Sequence, residues 1–80
     1  MSLNLRIVSP ERVEFEGSAD RVVVPGTCGE FEILANHAPI ISTLESGRIA
    51  FFDSEGEHEV KTQGGFVEVL KNNVSVCVEL

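Results

Sequence analysis

Apolar and polar residues alternate along most of this chain. Leu3, Leu5 and Ile7 alternate with Asn4 and Arg6, and Val13 and Phe15 alternate with Glu14 and Glu16. Phe31 and Ile33 are flanked by Glu30 and Glu32, and Val74, Val76, Val78 and Leu80 alternate with Ser75, Cys77 and Glu79. A period of two places each apolar set on one face of a strand. Val22-Val23-Val24 and Ile49-Ala50-Phe51-Phe52 are continuous instead, which predicts strands covered on both sides or lying at a partner surface. No window of about 10–12 residues has the apolar spacing of three and four that a helix needs.

Turn signals fall between these runs. Ser9-Pro10-Glu11 predicts a turn, Pro25–Gly29 a longer loop, and Asn36-His37-Ala38-Pro39 another loop in which Pro39 keeps Ala38 out of the helical region. Glu45-Ser46-Gly47, Asp53-Ser54-Glu55-Gly56 and Lys71-Asn72-Asn73 predict hairpin turns, because Gly and Asn tolerate positive φ. Gln63-Gly64-Gly65-Phe66 predicts a bulge or a close backbone approach between strands. Several short strands with such punctuation indicate an all-β fold, a small antiparallel sandwich or flattened barrel, in a single domain over residues 1–80.

Charge narrows the partners. Lys and Arg number 6 against 13 Asp and Glu, for a formal net charge of -7. Such a chain is repelled by phosphate backbones and anionic lipid, so no nucleic acid and no direct membrane-surface contact is expected. There is no Trp or Tyr, and the 5 Phe residues are not interleaved with basic ones. No apolar run approaches the roughly 18 residues of a membrane span, and the opening Met1-Ser2-Leu3-Asn4-Leu5-Arg6 lacks the plan of a signal or transit peptide. The expectation is a soluble protein that stays where it is made, with Cys28 and Cys77 as reduced thiols.

A search for chemistry yields little. A Cys28/His37 pair matches no nucleophile motif, and Cys28, Glu30 and His37 match no metal-ligand spacing. His58 lies in the run Glu55-Gly56-Glu57-His58-Glu59, expected to be a solvated hairpin tip. No helix follows Gly64-Gly65, so a phosphate-binding helix N-terminus is missing. No cofactor is expected. Lys71, at a hairpin tip, invites comparison with lipoyl and biotinyl carrier domains, but their characteristic tetrapeptide is absent around it.

One family resemblance covers the chain. The segment Arg21-Val22-Val23-Val24-Pro25-Gly26-Thr27-Cys28-Gly29-Glu30-Phe31-Glu32-Ile33-Leu34-Ala35-Asn36-His37-Ala38-Pro39 resembles the signature of the epsilon subunit of F-type ATP synthases. Leu5–Arg12, Gly64–Val69 and Asn73–Val76 resemble further segments of that family in the same order. The pairing of P-G-T-x-G-E-F with N-H-A-P is the specific part. Two positions depart from the family: Glu32 stands where Gly is common, and Cys28 where a small polar or acidic residue is common.

The resemblance implies a ten-stranded β-sandwich with no active site. Its implied role is a central-stalk rotor piece that binds the gamma subunit and the c-subunit ring and couples proton flow to ATP synthesis. It implies a location on the cytoplasmic face of the bacterial inner membrane, touching the membrane only through the complex. Thr27, Cys28, Gly29 and Glu30 match the loop that touches the c ring, with Glu30 the charged contact. Ser9, His37 and Ser42 match the side facing gamma. His37 could equally brace its own loop, and Ser9 and Ser42 could be plain turn and strand residues. Family members usually continue into a pair of C-terminal helices that brake the enzyme and in some bind ATP; this sequence stops at Leu80, where the sandwich would end, so no nucleotide site is expected if the chain is complete, and an excised domain is the open alternative. The rivals from other classes are the lipoyl/biotinyl-type carrier and a generic β-sandwich binding module.

Overall fold

A computed structural model describes residues 2–80, which form strands and turns with no helix. The strands are β1 (Leu3–Val8), β2 (Val13–Ala19), β3 (Arg21–Gly26), β4 (Gly29–Leu34), β5 (Ile40–Leu44), β6 (Gly47–Asp53), β7 (Gly56–Thr62), β8 (Gly64–Leu70) and β9 (Asn73–Glu79). They make one continuous sheet ordered β2-β1-β9-β8-β5-β3-β6-β7, with β4 on the other edge of β3. The sheet curls so that β2-β1-β9-β8-β5 faces β4-β3-β6-β7. A single pairing, Gly26 with Leu44, carries it around the corner from β3 to β5.

The described residues thus form nine strands rather than the ten that the family resemblance implies. The longest break between strands, residues 35–39, cannot add one. Asn36 there sits at φ 66, and Pro39 has no N–H for a ladder. The pairing is antiparallel apart from one junction: β1 and β9 run parallel, from Asn4 opposite Asn73 to Val8 opposite Cys77. A parallel pair needs a long crossover, and the whole of the chain between these two strands supplies it.

The core lies between the layers and follows the strand alternation. Leu3, Leu5 and Ile7 of β1 and Val74, Val76 and Val78 of β9 are buried. Val67 and Val69 of β8, Val22 and Val24 of β3, Ile33 of β4 and Ile49 of β6 join them. Each such side chain contributes about 1.5–3 kcal/mol by leaving water. The continuous runs resolve into two faces. Val22 and Val24 point inward, while Val23 is half-covered beside Ala50 and Glu32 on the outer side. On that same outer side the Arg21 guanidinium lies 4.0 Å from the Phe52 ring centre and 3.3 Å from Glu32.

Three places depart from simple alternation. The β1–β2 register pairs Ile7 with Phe15 but Val8 with Val13, leaving Glu14 unopposed as a bulge. Phe15 therefore turns inward while Val13 stays 44% exposed, so the two are not on one face. The Pro25–Gly29 segment is a tight turn rather than a longer loop: Pro25 and Gly26 stay in the ladder opposite Glu30 and Gly29. His58 is not at a hairpin tip either. It pairs with Phe51 in mid-strand, stacks on that ring at 5.1 Å between centroids, and bonds Asp53 through Nε2 at 3.0 Å. Phe51 in turn meets Phe15 across the gap between the layers, at 4.4 Å. Glu57 and Glu59, of opposite parity, remain exposed as expected.

Gly65 supplies the close approach that the Gly pair suggested. Its φ is +136, and a Cβ there would lie 1.9 Å from the Cys77 carbonyl oxygen on β9. Gly65→Ala should therefore cost on the order of 3 kcal/mol or more in chemical denaturation. Gly29→Ala has open space and only backbone strain, so its cost should be about 1–2 kcal/mol. Equal costs would contradict the packing difference.

The hydrogen bond from His58 holds the Asp53 carboxyl below its usual pKa, helped by the Glu55 backbone N–H. A depressed folded-state carboxyl gives stability that is present above the unfolded value and lost as pH falls through the folded one. Asp53→Asn should lower the thermal midpoint at neutral pH, and the gap from wild type should close in strong acid. A gap unchanged with pH would exclude the pair as its source.

Candidate partner surface

Two regions carry the residues singled out from the sequence. The first is the β3–β4 hairpin tip. Gly26 and Gly29 close a two-residue turn of Thr27 and Cys28, with Gly29 at φ 125, outside the range L side chains adopt easily. The tip is pinned to β5. Thr27 N–H donates to the Thr43 carbonyl at 3.0 Å, and the Thr27 and Thr43 hydroxyls lie 2.8 Å apart. Glu45 N–H donates to the Pro25 carbonyl at 2.8 Å. Cys28 and Glu30 are exposed. Glu32 is paired with Arg21, whereas Glu30 has no ion-pair partner among the described residues. The tip thus holds one uncommitted carboxylate on a braced support. Glu32 itself lies on the outer face of β4, exposed beside Arg21.

The second region is the outer face of the five-stranded layer. Val13, Val8, Cys77, Phe66 and Thr43 follow one another across β2, β1, β9, β8 and β5. Phe66 is 46% exposed, and Ile41 and Leu70 on the same face are 73% and 49% exposed. A shallow hollow of about 330 Å³ opens among Val8, Ser9, Pro10, Phe66 and Cys77. Another of about 340 Å³ opens among Pro39, Ile41, Glu68 and Leu70. Together they make an apolar band across a sheet face that water otherwise covers, which is the usual mark of an interaction site.

Ser9 and His37 stand at opposite ends of this band. Ser9 follows Val8 and closes its turn locally: its N–H donates to the Arg12 carbonyl at 2.9 Å, and its hydroxyl lies 3.1 Å from the Glu14 carboxylate. That carboxyl is held below its usual pKa, chiefly by the Arg12 guanidinium at 3.0 Å. His37 lies in the β4–β5 connection beside Ala38 and Pro39. Its N–H donates to the Leu34 carbonyl at 3.2 Å, and its Nδ1 lies 2.7 Å from the Ala38 carbonyl, so Nδ1 carries the proton. His37 does brace its own loop. Ser42 faces the interior side of β5, opposite Val67, and is half-buried. The three residues are therefore not a cluster: two frame the band and one lies beneath it.

Cys28 and His37 lie at opposite ends of the β3–β4 hairpin, with β4 between them, so they form neither a dyad nor a shared metal site. Both cysteines are free thiols, Cys28 exposed and Cys77 half-buried within the band. The apolar band itself was not among the expected sites. Its signal was present: Gly65-Phe66-Val67-Glu68-Val69-Leu70 and Ile40-Ile41 carry apolar residues at both parities of a strand.

The family model for the beta-sandwich domain of the ATP synthase Delta/Epsilon chain matches residues 2–80. An ATP synthase epsilon chain of Leptospira borgpetersenii is 40% identical over 77 residues, covering 96% of this chain and 61% of that protein. One from Maricaulis maris is 42% identical over 77 residues, covering 96% and 58%. The chain thus spans about three fifths of the length of these curated relatives. Among solved structures, a chain in the Euglena gracilis mitochondrial ATP synthase OSCP/F1/c-ring assembly superposes with a TM-score of 0.90 at 18% identity, over 96% of this chain and 50% of that one. A chain of the Tetrahymena thermophila mitochondrial ATP synthase central stalk and c-ring gives 0.82 at 13% identity, over 100% and 65%. At such identities these two likenesses speak for the fold, while the sequence matches carry the kinship: this chain belongs to the Delta/Epsilon-chain beta-sandwich family of ATP synthases.

Proposed function

We propose that this domain is a non-catalytic rotor piece of a proton-driven F-type ATP synthase. The apolar band on the five-stranded layer grips the gamma subunit, and the Thr27–Glu30 tip meets the c-subunit ring. The domain so held is peripheral to a membrane through the complex, on the cytoplasmic face in a bacterial cell. The single observation that carries this reading is the band itself: exposed Phe66, Ile41, Leu70 and Val13 and half-buried Val8 share one outer sheet face, with Glu68 the charged residue among them, on an otherwise acidic domain. Ser9 and His37, the positions matched to gamma by family resemblance, stand at its two ends. The names of the relatives and the central-stalk and c-ring assemblies of the structural neighbours support the same assignment.

The arrangement suits transmission of torque. Thr43 belongs to the row that crosses the band and also holds Thr27 of the tip. Two attachment surfaces are therefore joined through one strand and its ladder rather than through a loose loop. Apolar anchors at the centre of an interface dominate its binding energy, whereas an exposed charge such as Glu30 sets orientation and adds about 0–1 kcal/mol.

Phe66→Ser and Ile41→Ser should each weaken binding of purified gamma by about tenfold, read by isothermal titration, without unfolding the domain. Normal affinity in both variants would remove the band from the interface. Glu30→Lys should leave gamma affinity intact and reduce proton-driven ATP synthesis in vesicles containing the reconstituted complex. Unchanged synthesis would mean that the tip has no such role.

A further inference from the structure

We propose that Asn72 is a positioning residue for partner recognition: from the β8–β9 turn it clamps the 35–39 connection and so sets His37 for contact. This rests on the gamma-binding reading above. The connection crosses from one layer to the other at the end of the sandwich, outside the strand ladders. His37 N–H bonded to the Leu34 carbonyl closes its first turn but fixes nothing relative to the five-stranded layer. Asn72 supplies that link. Its Oδ1 accepts from the Asn36 backbone N–H at 2.6 Å, and its Nδ2 donates to Asn36 Oδ1 at 3.4 Å. Its own carbonyl accepts from Asn4 N–H at 2.8 Å, which ties the same residue to β1.

Backbone conformation makes asparagine suited to the place. Asn36 and Asn72 have φ of 66 and 64, in the left-handed region that asparagine enters more readily than most residues. The turn can thus hold its shape while the amide reaches 36 residues back along the chain. The clamp has a chemical consequence at His37. With Nδ1–H committed to the Ala38 carbonyl, the neutral ring keeps its lone pair on Nε2, which has no partner among the described residues. The partner group that fits is a hydrogen-bond donor: an ammonium, a guanidinium, a hydroxyl or a backbone N–H.

Two substitutions separate positioning from plain stability. Glycine accepts positive φ, so Asn72→Gly preserves the turn and deletes the clamp. Asn72→Asp keeps the oxygen that accepts from Asn36 N–H. Binding of purified gamma would be titrated to wild type, Asn72→Gly and Asn72→Asp, with thermal midpoints and the His37 ring NMR resonances recorded for each. Expected are about a tenfold loss for Asn72→Gly, recovery to near wild type for Asn72→Asp, and a His37 shift change in the glycine variant alone. Wild-type affinity in Asn72→Gly would overturn the proposal, as would equal losses in both variants. If wild type itself fails to bind gamma, the functional reading falls. The His37 resonances then decide the clamp: a glycine-specific shift supports it, and unmoved resonances overturn it.

Discussion

The close contact between β8 and β9 at Gly65 and Cys77 is the constraint on which the rest of this domain depends. The backbone of β8 passes the Cys77 carbonyl at a distance that leaves no room for a side chain. This brings the β8 ladder onto β9 over its whole length, from Gly64 opposite Glu79 to Leu70 opposite Asn73. β9 in turn holds β1 in the parallel pairing that joins the two ends of the described chain. Without that stack the five-stranded layer has no centre. The outer band, the Ser9 turn and the far hairpin that holds Asn72 all hang from it.

The same stack explains how an acidic domain can present an apolar face without losing its fold. Val67, Val69, Val74 and Val76 secure the inward side, so Phe66 and Cys77 are free to face outward. Apart from Glu68, which lies between Phe66 and Leu70, the paired charges sit away from the band. Arg48 with Glu59 and Arg21 with Glu32 lie on the outer face of the opposite layer, and Arg6 with Glu16 lies towards the far end of the five-stranded one. These exposed pairs add little stability, and they leave the apolar band open to a non-polar partner.

Much of this was legible in the residues, and the failures have identifiable causes. The period of two in Leu3–Ile7 and Val74–Val78 gives the strand faces directly, because one face of each strand is dry. It misassigned Val13 because an unopposed Glu14 shifts the register, and a bulge changes parity without changing the local pattern. His58 looked like part of a solvated acidic run. Its partner across the ladder is Phe51, a relation between positions that no local window contains. The hairpin tip looked longer than it is because Pro25 and Gly26 usually break strands, yet Pro25 needs only its carbonyl here, which takes the Glu45 N–H. The site positions came from family resemblance rather than from spacing. The way Ser9 and His37 frame one surface required the topology.

The two-residue turn has a practical consequence. Cys28 is exposed at the very apex of a short, braced hairpin, whereas Cys77 is half-covered between its neighbours on the sheet. Maleimide chemistry under mild conditions would distinguish the two by access alone, attaching a dye or spin probe at the apex without any engineered change. Because the apex is tied to β5 by backbone hydrogen bonds, such a probe would report the orientation of the whole body rather than the wobble of a loop.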